Sequence, residues 1–528
     1  MQFCGLLLII SSWIAVTTTP PQDAPLISDP VGQWIPADSA MVVEISNAKQ
    51  WSGNFGDNQL GQMLIRFSPA NRFVRGWHRM QRMLGQTHDE MVDNYFGQSV
   101  VLVAAHTGTQ SPMVIISKLR SRQVALDMIA KLQLELRENF EDHQIFQTPD
   151  GGAILSLHDT SPTIILTSEH NTPYLKRLIL AARTEPLLKN DPAFLAFLAS
   201  TPDDAVLKGY IRPADGEKHS FFITNHADAI QAQYVGKTPQ ITDILSRLGS
   251  NEPHQFGPLP ANCIAALAVN LNAQNTKSID LLDMLIAPKT YAKDLQPKLG
   301  KSVVFFFNKP EQKQMLPAVG IALQMKDQNL SSDLDTFMKN IMVVSSMTLG
   351  KKRTPQPGQN APPVMPVQAT LIKHNQTAYR TAQVANIKMV QHGLTIVTPI
   401  GLSWGRINDW YVVSSDKQTF CASIDNSCQK TPFMTSALNP VEEVPGTRIA
   451  QMLLKPQVLI DHLKRFAHDE PQTPKITSPR RSHRRQSPIE LSDLCAALQQ
   501  FSQMSVNVYR DDQNQMVAHI KINRIPTK

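Results

Sequence analysis

Ile35-Pro36-Ala37-Asp38-Ser39, running into Met41-Val42-Val43-Glu44-Ile45, is the stretch on which the fold turns, because the chain repeats it as Leu259-Pro260-Ala261-Asn262-Cys263 running into Ile264 to Leu271. Looser echoes stand at Thr201-Pro202-Asp203-Asp204-Ala205 and at Val444-Pro445-Gly446-Thr447. The segments between these phrases also recur in order, so what is duplicated is a folding unit.

Phe96-Gly97-Gln98-Ser99 leads into the apolar run Val100 to Ala105, and Leu299-Gly300-Lys301-Ser302 leads into Val303 to Phe307. A second strand returns in each half, Pro112 to Leu119 and Pro317 to Met325. In the latter, Val319, Ile321, Leu323 and Met325 alternate with Ala318, Gly320, Ala322 and Gln324, the period of a half-buried antiparallel strand. Helices follow. Ser121 caps a run with Ala125, Ile129, Leu132 and Leu136 on one stripe, and Ser331 caps one with Leu334, Phe337, Met338 and Ile341. Further strands are predicted at Ala153 to Leu157, Thr163 to Thr167, Thr395 to Ser403 and Trp410 to Ser414, and a terminal hairpin at Val506 to Tyr509 and Val517 to Ile522. The expectation is an α+β fold: two tandem related units of largely antiparallel sheet with helices packed on one face.

A chain of 528 residues, 42% hydrophobic, fills several cores, and its net charge of +7 is mild for this length. Cys4 to Val16 is an apolar run too short to span a bilayer but suited to a secretory signal, so residues 1–25 read as signal peptide and polar leader. No Lys or Arg precedes that run, and a misassigned start or a buried N-terminal strand is the other reading. Residues 26–255 then form the first repeat and 256–528 the second, the latter carrying a Pro-rich insertion at 349–366 and a basic loop at 471–488. The expected location is periplasmic or extracellular, soluble or peripheral, with no spanning segment after the signal. Of five cysteines, Cys263, Cys421, Cys428 and Cys495 remain after signal removal. Cys421 and Cys428 flank a turn-rich hexapeptide and are the candidate disulfide; four idle thiols are the alternative.

Candidate chemistry is sparse. Gly401-Leu402-Ser403-Trp404-Gly405 matches the nucleophile-elbow pattern, which needs a strand before the serine and a helix after it. Here Trp410 to Val413 reads as another strand, although Asp409, Asp425, His462 and His468 follow in a permissible order. Ser46-x-x-Lys49 and Ser414-x-x-Lys417 lack the companion motifs of penicillin-recognising enzymes. Gly236-Lys237-Thr238 and Gly300-Lys301-Ser302 lack the upstream glycine of a phosphate-binding loop. No metal-binding spacing is present, His462 and His468 included, and most histidines read as surface residues. Arg480, Arg481, Arg484 and Arg485 have no aromatic platform beside them, so nucleic acid is not an expected partner. No cofactor is expected.

The duplicated Pro-Ala-Asp/Asn phrase, the Gly-x-Ser strands and the terminal hairpin together resemble a family of large exported bacterial proteins known only as a domain of unknown function. That resemblance implies export and a duplicated α+β body, and it brings no catalytic residues. The functional expectation is an exported, non-enzymatic envelope protein that binds an apolar ligand or a partner protein. A serine hydrolase using Ser403 is the alternative.

Overall fold

A computed structural model describes residues 34–46, 80–95, 99–105, 111–212, 218–226, 228–236, 248–252, 254–271, 298–309, 317–351, 368–391, 394–429, 446–467, 495, 498–512 and 515–525. They fall into two compact units. The first draws on Met1–Thr238, Ser482–Gln500 and Met516–Lys528, the second on Pro239–Arg481 and Phe501–Gln515.

In the first unit the strands are β1 (Met41–Ser46), β2 (Ser99–Ala104), β3 (Met113–Lys118), β4 (Glu135–Phe140), β5 (His143–Gln147), β6 (Ala153–His158), β7 (Thr163–Ser168), β8 (Ala205–Ile211), β9 (His219–Asn225) and β10 (Ala229–Gly236). They pair antiparallel in the order β4-β5-β6-β7-β3-β2-β1-β8-β9-β10. Helices α1 (His88–Tyr95), α2 (Arg122–Lys131), α3 (Thr172–Thr184) and α4 (Pro192–Ser200) interrupt them. In the second unit β11 (Cys263–Asn270), β12 (Leu299–Asn308), β13 (Ala318–Met325), β14 (Thr370–His374), β15 (Thr377–Gln391), β16 (Leu394–Ile407), β17 (Trp410–Ser414), β18 (Thr447–Leu454) and β19 (Phe501–Arg510) pair as β14-β15-β16-β17-β13-β12-β11-β18-β19. Their helices are α5 (Leu330–Lys351), α6 (Lys417–Gln429) and α7 (Pro456–Ala467).

Strand for strand, the two orders are the same, and the register agrees as well. Glu44 faces Lys208 across β1 and β8, and Ala268, eight residues past Pro260 as Glu44 is past Pro36, faces Gln451 across β11 and β18. The last strand, β20 (Met516–Arg524), belongs to the first unit and pairs antiparallel with β10 over Ala229↔Asn523 to Gly236↔Met516. The expected terminal hairpin therefore gives β19 to one unit and β20 to the other.

The expected fold class needs correction. Antiparallel sheet dominates both units, and helices stand against both faces. One cluster joins Ile145, Ile154 and Ile165 to Leu175 and Leu178 of α3 and Phe194 of α4, while a second joins their chain neighbours Phe146, Leu155 and Ile164 to Met91 of α1 and Met128 of α2. Successive strand residues point to opposite faces, so the two clusters lie on opposite sides of the sheet. The second unit repeats the arrangement: Val304, Ala322 and Val412 pack with Phe420 and Ile424 of α6, and Val303, Leu323 and Tyr411 pack with Leu334 and Met338 of α5. The physical reason is composition. Strands such as β2 and β8 are apolar on both sides, and β8 is buried throughout, so a single helical layer leaves half of that surface in water.

Local signals explain the finer differences. Ser121 does cap α2, but the helix stops at Lys131, and Gln133 at φ 52° starts a turn into β4, where Leu136 is exposed. In β13 the smaller row, Ala318, Gly320 and Ala322, is buried on one face, where Phe306 lies across Gly320 and a Cβ would collide with its ring, while Leu323 and Met325 are buried on the other. Val319 is 46% exposed.

Candidate functional site

Ser403 lies inside β16, opposite Thr381 of β15 and Ser414 of β17. It is 1% exposed, and its Oγ donates to Thr381 Oγ1 at 3.0 Å. A flat mid-strand position offers neither the strained turn nor the helix N-terminus that an activated serine needs. The hydrolase geometry is absent at this residue. Asp425 is engaged elsewhere, accepting from His374 Nε2 at 2.7 Å, and His462 is buried on α7. His468 and Arg480 to Arg485 lie outside the described residues.

The Cys421–Cys428 pairing is also corrected. Both residues fall on α6, not in a turn, and Cys421 is a free thiol 3.4 Å from Tyr379 Oη. Seven helical residues rise about 10.5 Å, beyond the Cα separation of about 4.4–6.8 Å that a disulfide spans. Cys263 is a free, buried thiol, and Cys495 is buried as well. Burial pushes the Cys263 thiol up to about 12, so it is an inert core group at neutral pH. Lys301 pairs with Glu252, and the Lys301 and Ser302 amides donate to Gln324 Oε1, so Gly300-Lys301-Ser302 serves the sheet and presents no phosphate cradle.

Two features stand out from this structural background. The first is on the α5 face of the second sheet. One transverse row, Val506, Met452, Leu267, Phe305, Ile321 and Val413, crosses six strands in register, and the next row holds Leu454, Ala265, Phe307 and Val319. Phe305, Ile321 and Val413 adjoin the α5 cluster, but Phe307, Val319 and Met452 are 47%, 46% and 40% exposed. At about 4.8 Å per strand the longer row runs about 24 Å.

The second feature is in the first unit. His143 on β5 and His158 on β6 are direct cross-strand partners, and Asp142 ends the tight turn after β4. His143 is 1% exposed; its Nδ1 meets Ser156 Oγ at 2.8 Å, and its Nε2 is buried with no hydrogen bond. His158 Nδ1 accepts from the Thr160 and Ser161 amides, each at 3.1 Å. The neutral His158 ring therefore carries its proton on Nε2, 3.4 Å from Asp142 Oδ2. Trp34 covers both rings, its centroid 5.7 Å from His143 and 5.8 Å from His158. Burial holds the His143 imidazole down to about 4, and His158 beside it acts in the same direction.

The chain matches no protein family and no curated protein. Among solved structures it is similar to crystal form I of TP0453, at 11% identity and a TM-score of 0.24, over 42% of this chain and 85% of that one.

The histidine pair was not visible to spacing rules, since its members are fifteen residues apart on adjacent strands. Comparison of the repeats exposes it. Carrying the register through both sheets equates His158 with Ile407, Thr163 with Trp410 and His143 with Thr377. In the second unit Ile407 and Trp410 belong to an apolar cluster with Phe256. The fold thus does not require polar rings at this place.

Proposed function

We propose that this chain is an exported, non-enzymatic binding protein of the cell envelope whose second unit holds an apolar small ligand, such as an acyl chain, against the open part of its sheet. The observation that carries this reading is the pair of transverse rows in which Phe307, Val319 and Met452 are exposed. Contiguous exposed apolar surface is costly in water and marks a place that something covers. Methionine and phenylalanine side chains adapt to a flexible hydrocarbon. Export rests on the Cys4 to Val16 leader. Among the described residues no helix is long and apolar enough to cross a membrane.

Solvent extraction of protein purified from its native envelope, followed by mass spectrometry, tests the reading together with displacement of a fluorescent fatty acid. Lipid should co-purify, and Phe307→Lys and Met452→Lys should each weaken the probe at least tenfold while unfolding like the parent, since both side chains are already solvated. Equal probe binding by all three proteins refutes the assignment. Recovery of a stoichiometric protein in place of lipid assigns the face to a protein partner instead.

A further inference from the structure

We propose that the apolar ligand of the second unit carries a carboxylate, as a fatty acid does, and that Trp404 and Arg380 hold that head; the inference rests on the apolar-ligand reading above. The longer transverse row does not end at Val413. Val413 lies opposite Trp404 of β16, and Trp404 lies opposite Arg380 of β15. Directly opposed residues share a face of the sheet, with Cβ atoms about 4.5–5.5 Å apart. The row therefore passes from the half-buried Phe305, Ile321 and Val413 to an indole and a guanidinium. At about 4.8 Å per strand, Arg380 stands about 14 Å from Ile321.

These two residues present donors that lack an acceptor. Trp404 is fully buried, and its Nε1–H has no hydrogen-bond partner. A buried donor left unpaired is unfavourable. Arg380 donates through Nε to Asp335 Oδ2 at 3.1 Å, and among the described residues its two terminal nitrogens make no hydrogen bond. Tyr411 Oη donates to Asp335 Oδ1 at 2.9 Å. Both Asp335 oxygens are thus engaged, and the Nη edge of the guanidinium is left for a second anion, whose carboxylate matches its fork. The Arg380 side chain is 26% exposed, so a ligand reaches it from solvent. The register that equates His158 with Ile407 also equates Phe146 with Arg380, Leu155 with Trp404 and Ile164 with Tyr411. In the first unit those three pack in one apolar cluster, so the fold needs no polar groups at this place. A strut tying α5 to the sheet accounts for Asp335, Tyr411 and Arg380 Nε. It does not account for a buried donor left unbonded beside the guanidinium, nor for the alignment of both with the apolar row.

The test is displacement of a neutral naphthylamine probe from the delipidated full chain, by dodecanoate and by dodecanol, at about pH 8, where the acid is ionised. On the unmutated chain dodecanoate should bind at least tenfold more tightly than the alcohol. Arg380→Gln should bring the two within about twofold of each other, and Trp404→Phe should weaken dodecanoate about tenfold while leaving dodecanol nearly unchanged. Arg406→Gln, which removes a cation bonded to Asn408 O and Gln328 Oε1, should keep the parent ratio. Each variant is judged by two ligands on the same protein, so a general loss of stability does not mimic the result. Equal binding of acid and alcohol by the unmutated chain leaves the Trp404 N–H to an ordered water and overturns the head-group assignment while the apolar face stands. A preference that survives Arg380→Gln overturns it as well, and displacement by neither compound overturns the apolar-ligand reading with it.

Discussion

Gly320→Ala tests how the second sheet is packed. Gly320 on β13 lies directly opposite Phe306 on β12, and Phe306 is fully buried with its ring across the glycine. The first unit repeats the device, with Phe221 of β9 over Gly209 of β8. Alanine in a strand normally gains about 0.5–1 kcal/mol over glycine. Here the new methyl needs the space the ring holds, and overpacking of this kind costs about 1–3 kcal/mol, so a net loss of about 1–2 kcal/mol is expected. Phe306→Ala alone should cost about 3–5 kcal/mol, the transfer and cavity cost of a buried phenyl ring. With the ring gone, the Gly320 methyl has room and the backbone gain returns. The double variant should therefore be more stable than the sum of the single effects by about 2 kcal/mol. Urea unfolding of the four proteins, followed by near-ultraviolet circular dichroism, measures this coupling. Additivity to within about 0.5 kcal/mol, or stabilisation by Gly320→Ala alone, would falsify the ring-over-glycine account.

Other expectations concern single groups. Burial raises the Glu44 carboxyl from 4.5 to about 7 against the opposing pull of Lys208, so the folded state keeps a proton that the unfolded state gives up. Stability should then fall as pH rises from about 4.5 to 7, by up to about 3 kcal/mol. Glu44→Gln should gain on the parent by that amount between pH 5 and pH 8 in urea unfolding, and a pH-independent difference refutes the assignment. Tyr411 donates to Asp335 Oδ1 at 2.9 Å, with Arg380 on the other carboxylate oxygen. Tyr411→Phe should cost about 1–3 kcal/mol by stripping a charged acceptor of one partner, and thermal melting that does not change would show the bond to be idle. Cys421 should react with maleimide in native protein without reductant, as mass spectrometry of the labelled peptide would report; protection released only by reductant would restore the disulfide. Ser403→Ala should cost about 1 kcal/mol through the lost bond to Thr381 and leave any esterase activity of the preparation unaltered.

Much of the sheet was legible because its strands are punctuated by Pro, Gly and Ser at matching places in both halves. The hairpins β4–β5 and β14–β15 were not. Their outer strands, β4 and β14, are short and largely polar at the sheet edge, and their turns use Glu141 at φ 54° and Asn375 and Gln376 at 43° and 65°, where no glycine marks the reversal. Cys421 and Cys428 were misread because Ser, Asp and Asn favour turns locally, while burial of Phe420 and Ile424 against the sheet holds the segment helical. Asp142, His143 and His158 became a group only through register: each is unremarkable in sequence, and pairing of β5 with β6 brings them together. The open apolar rows likewise depend on which strand lies beside which, a property no local pattern carries.

The pairing of β20 with β10 has a consequence for biosynthesis. Residues near 230 obtain their outer neighbour only when residues near 520 have been made, so the first unit has a bare edge through most of translation. Such an edge, ending in Gly236 and flanked by the half-exposed Tyr234, invites pairing with other chains until it is covered. Loss of residues 517–528 would bare that edge of the amino-terminal unit, and a nascent chain stalled before Met516 would be the species most in need of a chaperone.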